Sequence, residues 1–170
     1  NSRIQKQNVN YDLFKLRTKL LRELSGKDED DPAFVAGIPM SLTSHTYLPL
    51  WGTFLRNLGG KLTLSRRTTE QTLKRGLRHT QAEFCAPVIA SHGHVADVVD
   101  LNPDFIFIPH MISAKKSKDL NKSHFCPFVQ SHPSVVEASS ILDNYGGRFV
   151  SPIIAFREGI DTMTRSLHAA

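Results

Sequence analysis

A chain of 170 residues has room for one domain of ordinary size, and 40% hydrophobic with 22% charged residues is globular usage. No apolar run approaches the roughly 18 residues of a bilayer span, and the polar opening from Asn1 to Asn10 is not a secretory signal, so neither a membrane protein nor an exported one is expected. The net charge of +5 permits an anionic partner, but the aromatic-interleaved basic motifs of RNA-binding modules are missing, and nucleic acid is not an expected ligand. Two cysteines, Cys85 and Cys126, are too few for a disulfide scaffold, which points to a reducing, cytoplasmic setting. The first residue is not Met, so the sequence reads as a fragment of a larger multidomain protein.

Leucines at 13, 16, 20, 21 and 24 recur at helical intervals and predict an amphipathic helix from Tyr11 to Leu24, ending near Ser25-Gly26. Lys27 to Pro32 is acidic, ends on a helix breaker and reads as an exposed linker. Residues 1–32 therefore form an N-terminal helix and acidic linker, and 33–170 a single domain. Within it, Phe34 to Ile38 is a strand, Tyr47 to Leu58 a helix closed by Gly59-Gly60, and Lys61 to Leu64 a second strand. A helix from Thr68 to about Leu77 follows, with Ser65 or Thr68 as its cap, then one from Cys85-Ala86-Pro87 to Val99. Asp104 to Ile108 is an apolar strand and a basic loop runs to Phe125. Cys126 to Gln130 reads as a strand, Pro133 to Leu142 as a helix and Phe149 to Phe156 as the last strand. This alternation predicts an α/β fold: a three-layer, Rossmann-like parallel sheet with helices on both faces, plus the N-terminal helix.

In such sheets the working residues lie beyond the carboxyl ends of the strands. The loops Pro39–Thr46, Ser65–Thr69, Pro109–Met111 and Gln130–Pro133 should therefore line one edge. No G-x-G-x-x-G or G-x-x-x-x-G-K-[ST] occurs, which argues against nucleotide hydrolysis within this domain. Cys85 stands directly before a helix, where N–H groups and the macrodipole favour negative charge on sulfur, whether as nucleophile or as metal ligand. His92 and His94 point about 200° apart on a helix and cannot share one ion; one packed and one exposed is the plain expectation. Gly93 between them costs about 1 kcal/mol against alanine, which suggests close approach by a neighbouring element or cofactor. The cations at Lys61, Arg66, Arg67, Lys74, Arg75 and Arg78, and the lysines at 115, 116, 118 and 122, read as a solvated helix face and a loop.

Taken in order, these residues resemble a known family. Gly37-Ile38-Pro39, Tyr47-Leu48-Pro49-Leu50-Trp51, Cys85-Ala86-Pro87 with His92-Gly93-His94, Asp104-Phe105-Ile106-Phe107 and Cys126-Pro127-Phe128-Val129 are similar in order and spacing to the domain of unknown function in acyl-CoA dehydratase activase-related proteins. That domain is similar in turn to the subunits of 2-hydroxyacyl-CoA dehydratases. The resemblance implies that Cys85 and Cys126 are iron ligands of a [4Fe–4S] cluster, the third cysteine lying outside this chain. It further implies ATP-driven, low-potential electron transfer. The partners would be other domains of the same polypeptide, an ATP-dependent activase and a C-terminal domain completing the cluster, with an acyl-CoA as a further ligand.

Two thiolates cannot saturate a cubane, so the isolated domain is expected to be inactive and cluster-free, with no catalytic residue of its own identified. The alternative is a non-catalytic interaction module binding CoA, a nucleotide or a neighbouring domain, with both thiols merely packed. A third reading, a zinc site built from Cys85, Cys126 and a histidine such as His110 or His124, lacks the local ligand pairs usual for zinc.

Overall fold

The computed structural model describes residues 12–28, 30–116 and 122–170. Four strands, β1 (Phe34–Ile38), β2 (Gly60–Leu64), β3 (Phe105–Phe107) and β5 (Arg148–Val150), form one parallel sheet in the order β2-β1-β3-β5. Helices cover both faces, so the α/β architecture read from the alternating pattern is the observed one. The chain moves from β1 to β2 through α2 (Ser44–Asn57) and returns past β1 to β3 through α3 (Glu70–His79) and α4 (Ala86–Val99). The direction of winding thus reverses between β1 and β3, which is where ligands gather in open α/β sheets.

Helix α2 buries Leu48, Trp51 and Leu55 against Ala36, Ile38, Leu62 and Phe107. Trp51 meets Phe107 edge-on at 5.4 Å between centroids. On the same helix Phe54 packs on the core, whereas Leu58, the residue after the helix end, is 58% exposed. On the other face Val95 and Ala96 of α4 pack with Val136 and Ile141.

Helix α1 (Leu13–Leu24) forms as its periodicity predicts; Tyr11, its expected first residue, lies outside the described residues. The linker after it is more tied down than its composition suggests. Asp28 accepts from Nε of Arg56 at 2.9 Å and from the Leu62 amide at 3.2 Å, while Arg56 also donates to the Ser25 carbonyl. Asp28→Ala should therefore lower stability by about 1 kcal/mol, because a charge-assisted bond is lost at a half-buried site. An unchanged denaturation midpoint would show the linker to be free in solution.

Four expectations require correction. The expected strand Cys126–Gln130 is instead the N-cap and first turn of helix α5 (Pro127–Glu137). Pro127 sits where proline is favoured in a first turn, and Pro133, the expected start of a helix, is instead inside one. The basic loop after Ile108 contains a strand, β4 (His110–Ser113). The run Phe149–Phe156 is not one strand: it breaks at Ser151-Pro152 into β5 and β6 (Ile153–Ala155). Outside any of these expectations, a further helix, α6 (Ile160–Ala169), follows β6, with Met163 and Leu167 packed on the core.

Strands β4 and β6 pair in parallel and continue the β3–β5 ladder beyond the main sheet, joined to it by bonds from Ile108 N to Val150 O and from His110 N to Pro152 O. Prolines 109 and 152 occupy the break, where a missing N–H is tolerated. The β4–α5 loop is closed at its base by bonds between Ala114 N and Ser123 O and between Phe125 N and Ile112 O. Its centre, 117–121 with Lys118, lies outside the described residues. Among the described residues no helix is long and apolar enough to cross a membrane.

Candidate functional site

Cys85 and Cys126 occupy the same structural position on two neighbouring helices. Each is the N-cap residue, and each is followed within two residues by proline: Cys85-Ala86-Pro87 opens α4 and Cys126-Pro127 opens α5. Neither sulfur caps its own helix, and both residues are exposed. The two helices run side by side in the same direction. Phe84, just before Cys85, meets Phe128, just after Pro127, at 5.8 Å between centroids. One or two turns further down, His92 of α4 and His132 of α5 meet edge-to-face at 5.3 Å. Cys85 lies seven residues before its histidine and Cys126 six. At 1.5 Å of rise per residue the two cysteines thus stand about 10 Å above the histidine contact, at matching heights.

Beneath the cysteines two buried histidines bring polar groups into the interior. His92 is fully buried: its Nδ1–H donates to the Val88 carbonyl at 2.9 Å, and Phe84 stacks on its ring at 5.8 Å. Nε2 of His92 and Nε2 of His132 are both buried with no hydrogen-bond partner among the described residues. Burial lowers the pKa of His92, and burial with the neighbouring His92 and His110 pushes His132 down to about 3. Both rings are therefore neutral near pH 7. A small cavity of about 20 Å³ reaches His132 from Ser41, Ser91 and Pro109, at the point where the sheet reverses its winding. The Ser41 and Ser91 hydroxyls share a hydrogen bond of 2.7 Å across it.

His94 faces the other way, as the helical geometry requires, but it is buried like His92, so the expectation of one packed and one exposed ring is wrong. Its Nδ1 bonds the Ser65 hydroxyl and its Nε2 the Thr68 hydroxyl, both at 2.8 Å. This corrects the expected cap of α3: Ser65 and Thr68 brace His94, and Thr69 caps the helix in a reciprocal pair with Thr72. Burial holds His94 neutral, with its pKa lowered to about 4. Gly93, between the two histidines, lies against the Thr72 carbonyl of α3, the close neighbour that a mid-helix glycine suggests.

The family model described as CoA enzyme activase uncharacterised domain (DUF2229) matches residues 36–170. The chain belongs to that family. A comparison with curated proteins found no match, and neither did one with solved structures.

Within the CoA enzyme activase uncharacterised domain lie both cysteines, all three buried histidines and the whole parallel sheet apart from the first two residues of β1. Helix α1 precedes it. Of the expected edge loops, Pro39–Thr46 enters α2, Ser65–Thr69 leads into α3, and Pro109 opens the β4 extension, but Gln130–Pro133 is helical. His110 is fixed by donating from Nδ1 to the Gln130 carbonyl, and His124 is exposed beside an isolated bridge to Ser113. Among the described residues no three His, Cys, Asp or Glu side chains converge on a point that could hold a metal ion. His132 escaped the sequence reading. Its signal was the shared pattern of cysteine, proline and then histidine six or seven residues on, readable only once both cysteines are placed at helix starts.

Proposed function

We propose that this domain supplies two thiolate ligands, Cys85 and Cys126, to a [4Fe–4S] cluster completed by a cysteine from another domain of the same polypeptide. In this reading it serves a 2-hydroxyacyl-CoA dehydratase-like, low-potential electron-transfer system driven by an ATP-dependent activase domain. The observation that carries the reading is the pairing of the two cysteines at matching heights on adjacent helix starts. The donor set fits: thiolate sulfur is the usual ligand of iron–sulfur clusters, and the helix N-terminus at each cysteine favours the negative charge of ligated sulfur. When bound, such a cluster supplies one-electron chemistry at a potential tuned by its surroundings. The chain's own contribution is to hold the sulfurs, with Phe84 and Phe128 packed edge-to-face beside them and the buried histidines below kept uncharged.

The intact protein, prepared anaerobically with iron and sulfide, should carry bound iron and a broad charge-transfer absorption in the visible region. Cys85→Ala and Cys126→Ala should each bring iron down to background, because two remaining ligands cannot hold a cubane. A thiol with no ligand role would cost at most about 1 kcal/mol of stability when removed. Equal iron content in wild type and both variants would reject the cluster and leave a non-catalytic interaction module as the better account.

A further inference from the structure

Five cationic or titratable side chains converge on one depression away from the cysteines. Arg17 and Arg22 of α1, His45 at the start of α2, and Arg66 and Arg67 of the β2–α3 loop line a pocket of about 220 Å³ floored by Met40 and Ser65. None of these residues lies on α4, α5 or the β4 extension. A shallow groove of about 370 Å³ continues from it over Thr18, Arg22 and Arg67.

A solvated basic face would spread its charges and pair them along a helix, as three nearby lysines do. Lys15 pairs with Asp12, Lys19 with Glu23 and Lys74 with Glu70. Of these carboxylates, Glu23 lines the adjoining groove and Asp12 lies within Coulombic reach of Arg67. The four arginines form no ion pair among the described residues, although they come from two separate segments. Residues 1–11, which precede α1, contain no Asp or Glu that could neutralise them. Burial, and to a lesser extent the Arg17 charge, lower the pKa of His45.

The Arg66-Arg67 loop is also built rather than loose. His94 grips it at both ends through Ser65 and Thr68, and the Ser65 hydroxyl accepts from the Met40 amide at 2.7 Å. The amides of Arg66, Arg67 and Thr68 make no hydrogen bond among the described residues and directly precede α3. Unpaired amide donors beside arginine forks suit the geometry of phosphate oxygens. The pocket volume is below the roughly 300–1,000 Å³ that encloses a whole drug-sized ligand. It fits the anionic end of one, with the remainder lying along the groove.

We propose that this depression binds the diphosphate group of a phosphorylated small molecule through Arg17, Arg22, Arg66 and Arg67. The site is independent of the cluster reading and goes beyond it. Calorimetric titration of the intact chain with inorganic pyrophosphate should give saturable one-to-one binding, at least about tenfold tighter than orthophosphate. Arg66→Ala combined with Arg67→Ala, both exposed positions, should weaken it by about tenfold or more, whereas Lys61→Ala, an exposed cation of β2 outside the pocket, should leave it unchanged. Adenosine 5′-diphosphate binding tighter than pyrophosphate identifies a nucleotide-type ligand, and the reverse order a free diphosphate; either supports the site. Cys85→Ser and Cys126→Ser should leave pyrophosphate affinity intact, so failure here and failure of the cluster are read separately. Absence of saturation, equal loss in Lys61→Ala, or a short RNA oligonucleotide binding more tightly than both small ligands would overturn the proposal.

Discussion

Alanine at Gly93 or at Gly76 is expected to destabilise the protein by about 3 kcal/mol, the upper end of the usual overpacking cost. Helices α3 and α4 cross antiparallel with almost no space between their backbones. A Cβ at Gly93 would stand 2.0 Å from the Thr72 carbonyl oxygen, and one at Gly76 would stand 1.9 Å from the Ile89 carbonyl oxygen. Neither obstacle is a movable side-chain end; both are backbone, held by their own helices. Propensity points the other way, since alanine in a helix interior gains about 1 kcal/mol over glycine. The sign of the measured change therefore separates the two effects. Chemical denaturation of each single variant is the measurement, and a stabilised Gly93→Ala protein would show that the helices part freely. Because the β2–α3 loop is held by His94 on the same helix, separation of α3 from α4 should also weaken diphosphate binding.

Acidification should cost several kcal/mol between pH 6.5 and pH 4. His94 and His132 have folded pKa values of about 4 and about 3, against an ordinary 6.5, mainly because burial disfavours the imidazolium; His92 is lowered for the same reason. With the folded value below the unfolded one, the unfolded chain binds more protons in this window. The stabilisation is thus complete above pH 6.5 and is lost progressively as pH falls toward the folded values. Lowering a pKa by one corresponds to about 1.36 kcal/mol, so even part of the combined lowering is large beside a typical total stability of roughly 5–15 kcal/mol. Denaturation midpoints at pH 7.5 and pH 4.5 test this, with His132→Gln as a variant that should flatten the dependence. A midpoint that does not move between the two pH values would mean that water reaches these rings.

Some of these features are legible in the sequence and others are hidden, for identifiable reasons. The strands β1, β2 and β3 are short apolar runs bounded by turn residues, and α2, α3 and α4 carry strong periodicity or clear stops, so their existence is readable. Gly93 is readable as a close approach because nothing local rewards glycine inside a helix. Helix α5 is hidden because Cys126-Pro127-Phe128-Val129 is as short and apolar as a strand, and because two prolines both offer a helix start. Strands β4 and β6 are hidden because their partners are each other, far apart in sequence and beyond the end of the main sheet.

Residue type, periodicity and turn chemistry are local properties of the chain, and they suffice for the α/β class, the parallel sheet and the two cysteines as the residues to follow. Folding in three dimensions was needed to place both cysteines as caps of adjacent helices, to bring His92 against His132 below them and to turn His94 toward the β2–α3 loop that it braces. It was needed equally to gather Arg17 and Arg22 with Arg66 and Arg67 around one pocket. The physical reason is the same in each case. Those juxtapositions join residues tens of positions apart, and the sign of their effect depends on burial and on the distance between helices, which the folded backbone sets and no local pattern encodes.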